Sequence, residues 1–237
     1  MTDTTLSDQL YASYDGWKGW EKPFTCSADM ADYFAAELRG RRLSGTDVLE
    51  IGYGNGEFLA WARQQGARIT GSEITPGAIE AAKAENVPLI PGDFESSQEV
   101  VADSYDVIAA FDVFEHLDAV TLVAKLRAIN TMLRPGGWLI LRFPNGQSPF
   151  GLGPQNGDAT HILALSRSKI EQYASGTNLE TVHYAGTARP KTGPLSKRLI
   201  RALRYKGRDI HARILRFLYA TDIEMDPVVC IILQKAE

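Results

Sequence analysis

The sequence has very little cysteine and no long apolar run. Its two cysteines, Cys26 and Cys230, lie far apart and form no CxxC pair, which excludes a disulfide framework and a thiolate metal site. Residues 1–10 are polar and acidic without the apolar stretch of a signal peptide, and no later run approaches the roughly 18 apolar residues of a membrane span. These absences predict a soluble, cytoplasmic protein.

The composition is that of a globular protein with an uneven distribution of charge. The 237 residues fit one large domain, and 44% apolar with 23% charged residues excludes a disordered or collagen-like chain. The net charge is −4, but the stretch 189–216 contains ten basic residues and one acid, a charge of +9, which leaves −13 for the rest. This basic stretch is a candidate surface for an anionic partner.

Short apolar runs alternate with helical periods along the middle of the chain. Strands are predicted at 47–51, 68–74, 87–90, 105–111 and 137–143, and a helix is predicted at 117–133, before the Arg-Pro-Gly-Gly turn at 134–137. The alternation predicts an α/β fold whose parallel strands are joined by right-handed crossovers.

Two flanking regions do not follow this alternation. The first 45 residues are rich in aromatic side chains, and Ser27 is expected to cap a helix that is buried through Met30, Phe34 and Leu38, so that residues 1–45 would form a lid. Residues 144–165 are rich in Gly, Pro and Asn, and they predict a long loop at the sheet edge where α/β folds bind ligands.

Four chain segments that follow strands carry the candidate chemistry. The motif EIGYGNG at 50–56 opens a helix, but Glu57 occupies the position of the third glycine in a dinucleotide fingerprint, so a pyrophosphate ligand is disfavoured. The acid that closes the second strand, Glu73, suits the two hydroxyls of a ribose. The motif Gly92-Asp93-Phe94 could bind an adenine through the carboxylate and the ring, and DVFEHL at 112–117 ends at the same crevice.

Together these motifs resemble the class I S-adenosylmethionine-dependent methyltransferases over residues 44–188 and the last strand. The resemblance is carried by EIGYGNG at 50–56, GSEIT around Glu73, GDF at 92–94, YDVIAAFDVFEHL at 105–117 and LRPGGWLIL at 133–141. It implies a Rossmann-like sheet of seven mostly parallel strands, completed by 179–188 and an antiparallel last strand at 227–235. It also implies a methyltransferase core at 46–188 and 227–237.

The resemblance implies S-adenosylmethionine as cofactor and assigns residues to its parts. The methionine part would be held by Glu50, Gly52, Gly54 and Gly56, and the ribose by Glu73. The adenine would contact Asp93 and Phe94, and the wall beside the sulfonium would consist of Asp112 and Val113. Ile74 is also expected to contact the cofactor. The reaction itself needs an acceptor held in line with the methyl group, and it needs a base only if the acceptor carries a proton that must leave.

Two of the four histidines are candidates for that base. His116 follows the fourth strand, and the alternative is that it caps the next helix. His161 lies in a D-x-T-H stretch that resembles one in glycan and lipid methyltransferases, and the alternative is that it fixes the loop; Asp158 could orient it. No metal is expected, because no Asp, Glu and His residues have ligand spacing along the chain.

The region 189–226 is predicted to be a basic helical insertion. Apolar residues at 195, 199, 202 and 203 face away from four cations, and a second helix is predicted around 210–218. The insertion is either a solvated surface or a docking surface for anionic lipid headgroups or a polyprenyl-diphosphate-linked glycan, which would place the protein at the inner membrane face. Nucleic acid is disfavoured by the acidic remainder.

We therefore expect O-methylation of a sugar or a lipid-linked glycan. The enzymatic alternative is a small aromatic or quinone-like acceptor held by Trp17, Trp20 and Phe24. The third hypothesis is a non-catalytic S-adenosylmethionine-binding regulator that uses the basic helices to bind a partner.

Overall fold

The computed structural model describes residues 22–189 and 192–237, and the predictions made for Trp17 and Trp20 lie outside the described residues. The strands are β1 (Asp47–Ile51), β2 (Arg68–Ser72), β3 (Leu89–Ile90), β4 (Tyr105–Phe111), β5 (Leu133–Pro144), β6 (Leu179–Gly186) and β7 (Val228–Lys235). The helices are α1 (Ala28–Glu37), α2 (Glu57–Gln64), α3 (Pro76–Ala84), α4 (Ala119–Met132), α5 (Leu152–Asn156), α6 (Arg167–Tyr173) and α7 (Leu195–Leu218).

The seven strands form one mixed sheet in the order β3-β2-β1-β4-β5-β7-β6. The pairs from β3 through β5 are parallel, and β7 is antiparallel to both β5 and β6. The predicted Rossmann-like sheet with an antiparallel last strand is therefore confirmed. Because the carboxyl ends of β1, β2, β3 and β4 meet at one edge, the motifs that follow them lie together.

Both faces of the sheet are buried, as expected for a parallel sheet covered by helices. Successive side chains of β1 point to opposite faces, so Val48 packs in one apolar core with Phe34 and Trp61, whereas Leu49 packs in the other with Leu126. The sheet is thus a rigid platform for the loops at its edge.

Helix α1 has the predicted cap and the predicted buried face. The Ser27 hydroxyl accepts a hydrogen bond from the Met30 amide at 3.2 Å, and Phe34 packs edge-on against Phe58 with ring centroids 5.2 Å apart. At its other end, the buried Glu37 accepts a hydrogen bond from the Ala188 amide at 2.7 Å. The division of the chain into lid, core and insertion stays a prediction.

Three segments differ from the sequence prediction. Residues 134–137 do not form a separate turn but lie within β5. The pairing of β5 with β4 shifts its register between Tyr105 and Val107, and this irregularity accommodates the two glycines. The third strand is only two residues long. The loop at 144–165 contains a 3-10 turn at Pro149–Gly151 and the short helix α5.

The basic insertion contains one helix of 24 residues, not two, and none of its residues is buried. The prediction of two helices was wrong because the apolar stripe continues in phase across Gly207: Leu203 and Ile210 are seven residues, or about two turns, apart. No helix among the described residues is long and apolar enough to cross a membrane.

Candidate active site

The glycine motif after β1 forms a tight loop at the start of α2. Gly52, Gly54 and Gly56 all have positive φ angles of 63°, 51° and 72°, which side chains rarely adopt. A Cβ atom on Gly52 would lie 2.5 Å from the side chain of Val113. The loop therefore requires glycine both for its backbone conformation and for the close approach of the turn after β4.

Glu73 fixes this loop from the end of β2. One carboxylate oxygen accepts a hydrogen bond from the Gly54 amide at 2.9 Å, and the other accepts from the Ile74 amide at 2.7 Å and the Thr75 amide at 3.1 Å. The Thr75 hydroxyl also donates to the second of these oxygens at 3.1 Å, so the oxygen that accepts from Gly54 keeps one acceptor position for a ligand hydroxyl. Ile74, 58% exposed, provides an apolar surface at the rim.

Glu50 is a buried acid beside the loop. It is 4% exposed, and its Oε2 atom has no hydrogen-bond partner among the described residues. Burial raises the pKa of Glu50 well above its ordinary value. A cationic group of a ligand would offset this desolvation, so the site fits the ammonium group of an amino-acid moiety.

The turn after β3 is supported from below by a buried ion pair. The Lys125 ammonium donates to the Gly92 carbonyl at 2.6 Å and to Glu95 at 2.5 Å, and it lies over the Phe94 ring at 4.2 Å. Asp93 is exposed beside Gly92, but Phe94 is wholly buried in the core.

The sequence predicted that the ring of Phe94 would line the adenine pocket. In the structure the ring points into the core instead. The 3-10 turn at Phe94–Ser96 directs the ring inward, where it supports the turn. Lys125 was not predicted from the sequence as part of this site. A detectable signal was present, since this lysine lies on the face of α4 that buries Leu122 and Leu126.

These groups line a cavity of about 320 Å³ at the carboxyl edge of the sheet. A volume of this order is typical of small-molecule sites. Of the residues expected to hold the cofactor, the lining contains Glu50, Gly52, Gly54, Glu73, Ile74, Asp112 and Val113. Gly56 lies under Phe24, whose amide donates to the Asn55 carbonyl at 2.8 Å.

A bidentate ion pair forms one wall of the cavity. Arg142 donates to Asp112 at 3.0 and 2.6 Å, and Asp112 has a φ of 57°, an unusual value for a residue with a side chain. Arg142 was not predicted from the sequence either, although it is a cation within the apolar run at 138–144 of β5.

A second cavity of about 530 Å³ adjoins the first and shares Asp112, His116 and Arg142 with it. Its lining also includes His161 and Asp158, which come from the loop after β5. The structure thus brings the three predicted catalytic residues to the second cavity, with His116 at its boundary with the first. A ligand in one cavity can meet a ligand in the other at this boundary.

The rings of His116 and His161 contact each other, with centroids 4.6 Å apart and planes at 74°. The Nδ1 atom of His161 is 3.0 Å from the Gln155 carbonyl, so it carries a proton and donates. The Nδ1 atom of His116 lies 2.8 Å from the Thr160 hydroxyl, which donates to Asp158 at 2.5 Å. Asp158 is therefore linked to His116 through the Thr160 hydroxyl. Its Oδ2 atom lies 4.0 Å from the Nε2 atom of His161.

Glu115 lies beside the histidine pair, a cluster that was not predicted from the sequence. One ligating atom each from Glu115, His116 and His161 lies within 4.8 Å of the others. Spacing along the chain predicted no metal ligands, because His116 and His161 are 45 residues apart. The other two histidines lie elsewhere: His183 is 3.4 Å from Arg39, and His211 is on α7.

Comparisons with known proteins agree with this fold and site. A family model described as a methyltransferase domain matches residues 27–184. A ubiquinone biosynthesis O-methyltransferase of Nitrosospira multiformis is 31% identical over 107 residues, which are 43% of this chain and 44% of the relative. One from Paraburkholderia xenovorans is 26% identical over 174 residues, 65% of this chain and 72% of the relative.

A solved structure shows the same fold. An S-adenosylmethionine-dependent methyltransferase from Archaeoglobus fulgidus matches with a TM-score of 0.65 at 19% identity, covering 88% of this chain and 95% of that chain. The fold and the site define a transferase of the Rossmann-like class. Because the family model spans more than half of the chain, this chain belongs to the methyltransferase family. Its fold and its acid-lined cavity make S-adenosylmethionine the cofactor.

Proposed function

We propose that this methyltransferase transfers the methyl group to a hydroxyl of a small aromatic or quinone-like acceptor that occupies the second cavity. The observation that carries the proposal is the histidine pair at the boundary of the two cavities. Both Nδ1 atoms are engaged by oxygen atoms of the loop at 3.0 and 2.8 Å, so the orientation of both rings is fixed within the second cavity.

The chemistry of O-methylation matches what these residues offer. Bound S-adenosylmethionine supplies an activated methyl group, so the protein has to hold the acceptor oxygen in line and handle its proton. The Asp112–Arg142 pair forms a fixed wall between cofactor and acceptor, and the histidine pair lies where the acceptor loses its proton.

The names of two relatives and the position of one aromatic residue support the acceptor class. The two curated relatives carry the name of enzymes that O-methylate in ubiquinone biosynthesis, which favours the quinone-like alternative over the sugar or lipid-linked glycan. This chain matches less than half of the Nitrosospira relative, so the acceptor remains a proposal. The loop position of Phe24 over Gly56 puts this aromatic residue beside the cofactor cavity.

Acceptor profiling with purified protein tests the function. We expect methyl transfer to catechol and hydroquinone acceptors with an apolar tail, and none to nucleotide-sugar or polyprenyl-linked glycan acceptors. His116→Ala and His161→Ala should each lower kcat about 10²- to 10⁴-fold with little change in cofactor affinity, whereas His183→Ala should not.

Three outcomes would contradict the proposal. Transfer to the glycans alone would support the sugar or glycan acceptor instead. Near-normal turnover by both histidine variants would show that the histidine pair has no role in catalysis. Cofactor binding without turnover of any acceptor would favour the regulatory alternative.

We also propose that α7 docks on an anionic membrane surface from which an apolar acceptor is drawn. The helix carries eight basic residues and one acid, yet its apolar stripe faces solvent: Leu203 is 63% and Phe217 is 85% exposed. The arrangement suits a helix lying in the headgroup region with its apolar side inserted and its cations near anionic lipids.

The opposite face of α7 explains why the stripe points outward. Arginines on that face form ion pairs with acids outside the helix: Arg201–Asp29 at 3.3 Å, Arg208–Asp226 at 2.6 Å and Arg216–Glu224 at 3.3 Å. These pairs hold the basic side against α1 and against the segment that leads into β7. The apolar side is thereby left for a partner.

Cosedimentation with vesicles tests the docking. Lys206 and Arg213 lie three or four residues from members of the stripe, and with Arg204 they are outside the three ion pairs. We expect the wild type to bind phosphatidylglycerol vesicles and not phosphatidylcholine vesicles at low salt. Changing Arg204, Lys206 and Arg213 to Glu should abolish binding, because each cation near an anionic surface contributes about 1 kcal/mol.

The matched control places the same charge change elsewhere. Glu at the exposed positions Arg42, Arg127 and Arg167 should leave vesicle binding nearly intact. If both triple variants lose vesicle binding equally, the net charge of the protein and not α7 determines the binding. If the wild type self-associates and does not bind vesicles, a second copy of the chain covers the stripe.

A further inference from the structure

We propose that Glu115, His116 and His161 bind one divalent transition-metal ion at the boundary of the two cavities. The inference deepens the proposed function and rests on it, because the ion would bind the hydroxyl that is methylated. It assigns the histidine pair as ligands, so the imidazoles hold the ion and do not themselves take the proton.

The three residues are close enough to share an ion. One ligating atom from each lies within 4.8 Å of the other two, and the Nε2 atom of His161 is 3.9 Å from Glu115 Oε1. Ligands of one zinc-like ion at about 2.0–2.2 Å lie roughly 3–3.5 Å apart, so the side chains have to close by about 1 Å.

The contacts behind the ligands are those of a metal site. A metal-binding histidine usually donates its second ring N–H to a carbonyl, carboxylate or similar acceptor, which fixes the tautomer. His161 donates from Nδ1 to the Gln155 carbonyl at 3.0 Å. His116 faces the Thr160 hydroxyl at 2.8 Å from Nδ1, and that hydroxyl donates to Asp158. Both rings therefore direct an Nε2 lone pair away from these partners.

The backbone holds the two parts of the cluster together. The amides of Ile162 and Leu163 both donate to the Glu115 carbonyl, at 2.8 and 3.0 Å. These bonds attach the segment that carries His161 to the turn that carries Glu115 and His116. The carboxylate of Glu115 is wholly buried, where proximity to a cation offsets the cost of desolvation.

The donor set indicates the class of ion and its chemistry. Two imidazoles and one carboxylate suit Zn²⁺, Co²⁺ or Fe²⁺, whereas Mg²⁺ and Ca²⁺ prefer oxygen ligands alone. Three protein ligands leave positions open for an acceptor hydroxyl in the second cavity. The ion lowers the pKa of that hydroxyl, whose proton leaves to solvent. The oxygen then bonds to the methyl carbon as the S–CH₃ bond breaks, which gives the methyl ether and S-adenosylhomocysteine.

Metal binding by the full chain tests the inference without relying on activity. Chelator-treated protein is titrated with Co²⁺ by visible absorption and with Zn²⁺ by calorimetry, and metal content is measured by mass spectrometry. We expect one ion per chain. Thr160→Val removes only the hydroxyl behind His116 and should weaken affinity about 10- to 100-fold. His161→Ala removes a ligand and should weaken it more, whereas His183→Ala should bind as the wild type does.

The outcomes separate this inference from the proposed function. Binding of S-adenosylhomocysteine by each variant shows that it is folded. Wild-type protein that binds no ion in a 1:1 ratio, or equal loss in His183→Ala and His161→Ala, would overturn the metal site. Full turnover by chelator-treated enzyme would also overturn it and leave O-methylation standing. An ion-binding protein that methylates no hydroxyl would overturn the proposed function alone.

Discussion

Glu73 illustrates how one side chain can serve both the loop and its ligand. Its carboxylate accepts three backbone hydrogen bonds from Gly54, Ile74 and Thr75, so the acid is held in place before any ligand arrives. A pre-positioned acceptor loses little entropy on binding a ribose. The same contacts mean that replacement of this acid affects the glycine loop as well as the ligand.

Replacing Glu73 by Ala should weaken S-adenosylhomocysteine binding about tenfold or more. Hydrogen bonds to a charged group contribute on the order of 1.5–3 kcal/mol, and the variant lacks the acceptor expected for a ribose hydroxyl. Calorimetric titration measures the change. The control is Glu80→Ala, an exposed acid paired with Lys83 at 2.7 Å, which should bind normally. Unchanged affinity in the Glu73 variant, or tighter binding of NAD by the wild type, would refute the cofactor-site assignment.

At the scale of elements, α7 and α4 show opposite uses of an amphipathic pattern. Leu126 of α4 is wholly buried between helix and sheet, and Leu203 of α7 is mostly exposed. Both leucines belong to apolar stripes with helical spacing. Ion pairs on the basic face of α7 determine which side of that helix meets the domain.

The same substitution in the two helices should have different effects. Leu126→Ala leaves a cavity in the core and should lower the free energy of unfolding by about 2–5 kcal/mol. Leu203→Ala should change it by less than about 0.5 kcal/mol, because no buried contact is lost. Urea denaturation of both variants without membranes compares them. A loss above about 2 kcal/mol for Leu203→Ala would mean that the stripe packs on the domain in solution.

At the scale of the whole molecule, the buried Glu50 links folding to pH. Burial raises its pKa in the folded protein above the ordinary 4.5, so folding favours the protonated carboxyl. The stability that this group contributes is fully present below about pH 4.5. It is lost as the pH rises through the folded-state pKa.

Glu50→Gln stays neutral and should remove this part of the pH dependence. Without cofactor, the variant should be more stable than the wild type at pH 8 by about 1 kcal/mol or more, and the difference should shrink toward pH 4.5. It should also bind S-adenosylhomocysteine more weakly. Thermal unfolding from pH 4.5 to 8 is the measurement, with the exposed Glu80→Gln as control. A wild type and variant with parallel pH profiles would contradict the role of burial.

The sequence by itself determined most of the strands and helices and the sheet edge at which the motifs lie. Strand runs such as YDVIAAF, the Ser27 cap and the glycine loop depend on local periodicity and backbone freedom, which neighbouring residues specify. Since parallel strands put their carboxyl ends at one edge, the motifs around Glu50, Glu73 and Asp112 could be assigned to one crevice from the sequence alone.

Only the tertiary structure decided which distant groups meet and which faces are covered. The turn after β4 and the loop after β5 are joined through the Glu115 carbonyl, which brings His161 to His116 across 45 residues. The ring of Phe94 points inward and the apolar stripe of α7 points outward. Both orientations depend on packing partners that cannot be identified from the periodicity of the sequence. Periodicity specifies that a face is apolar, and long-range packing and ion pairing specify what that face contacts.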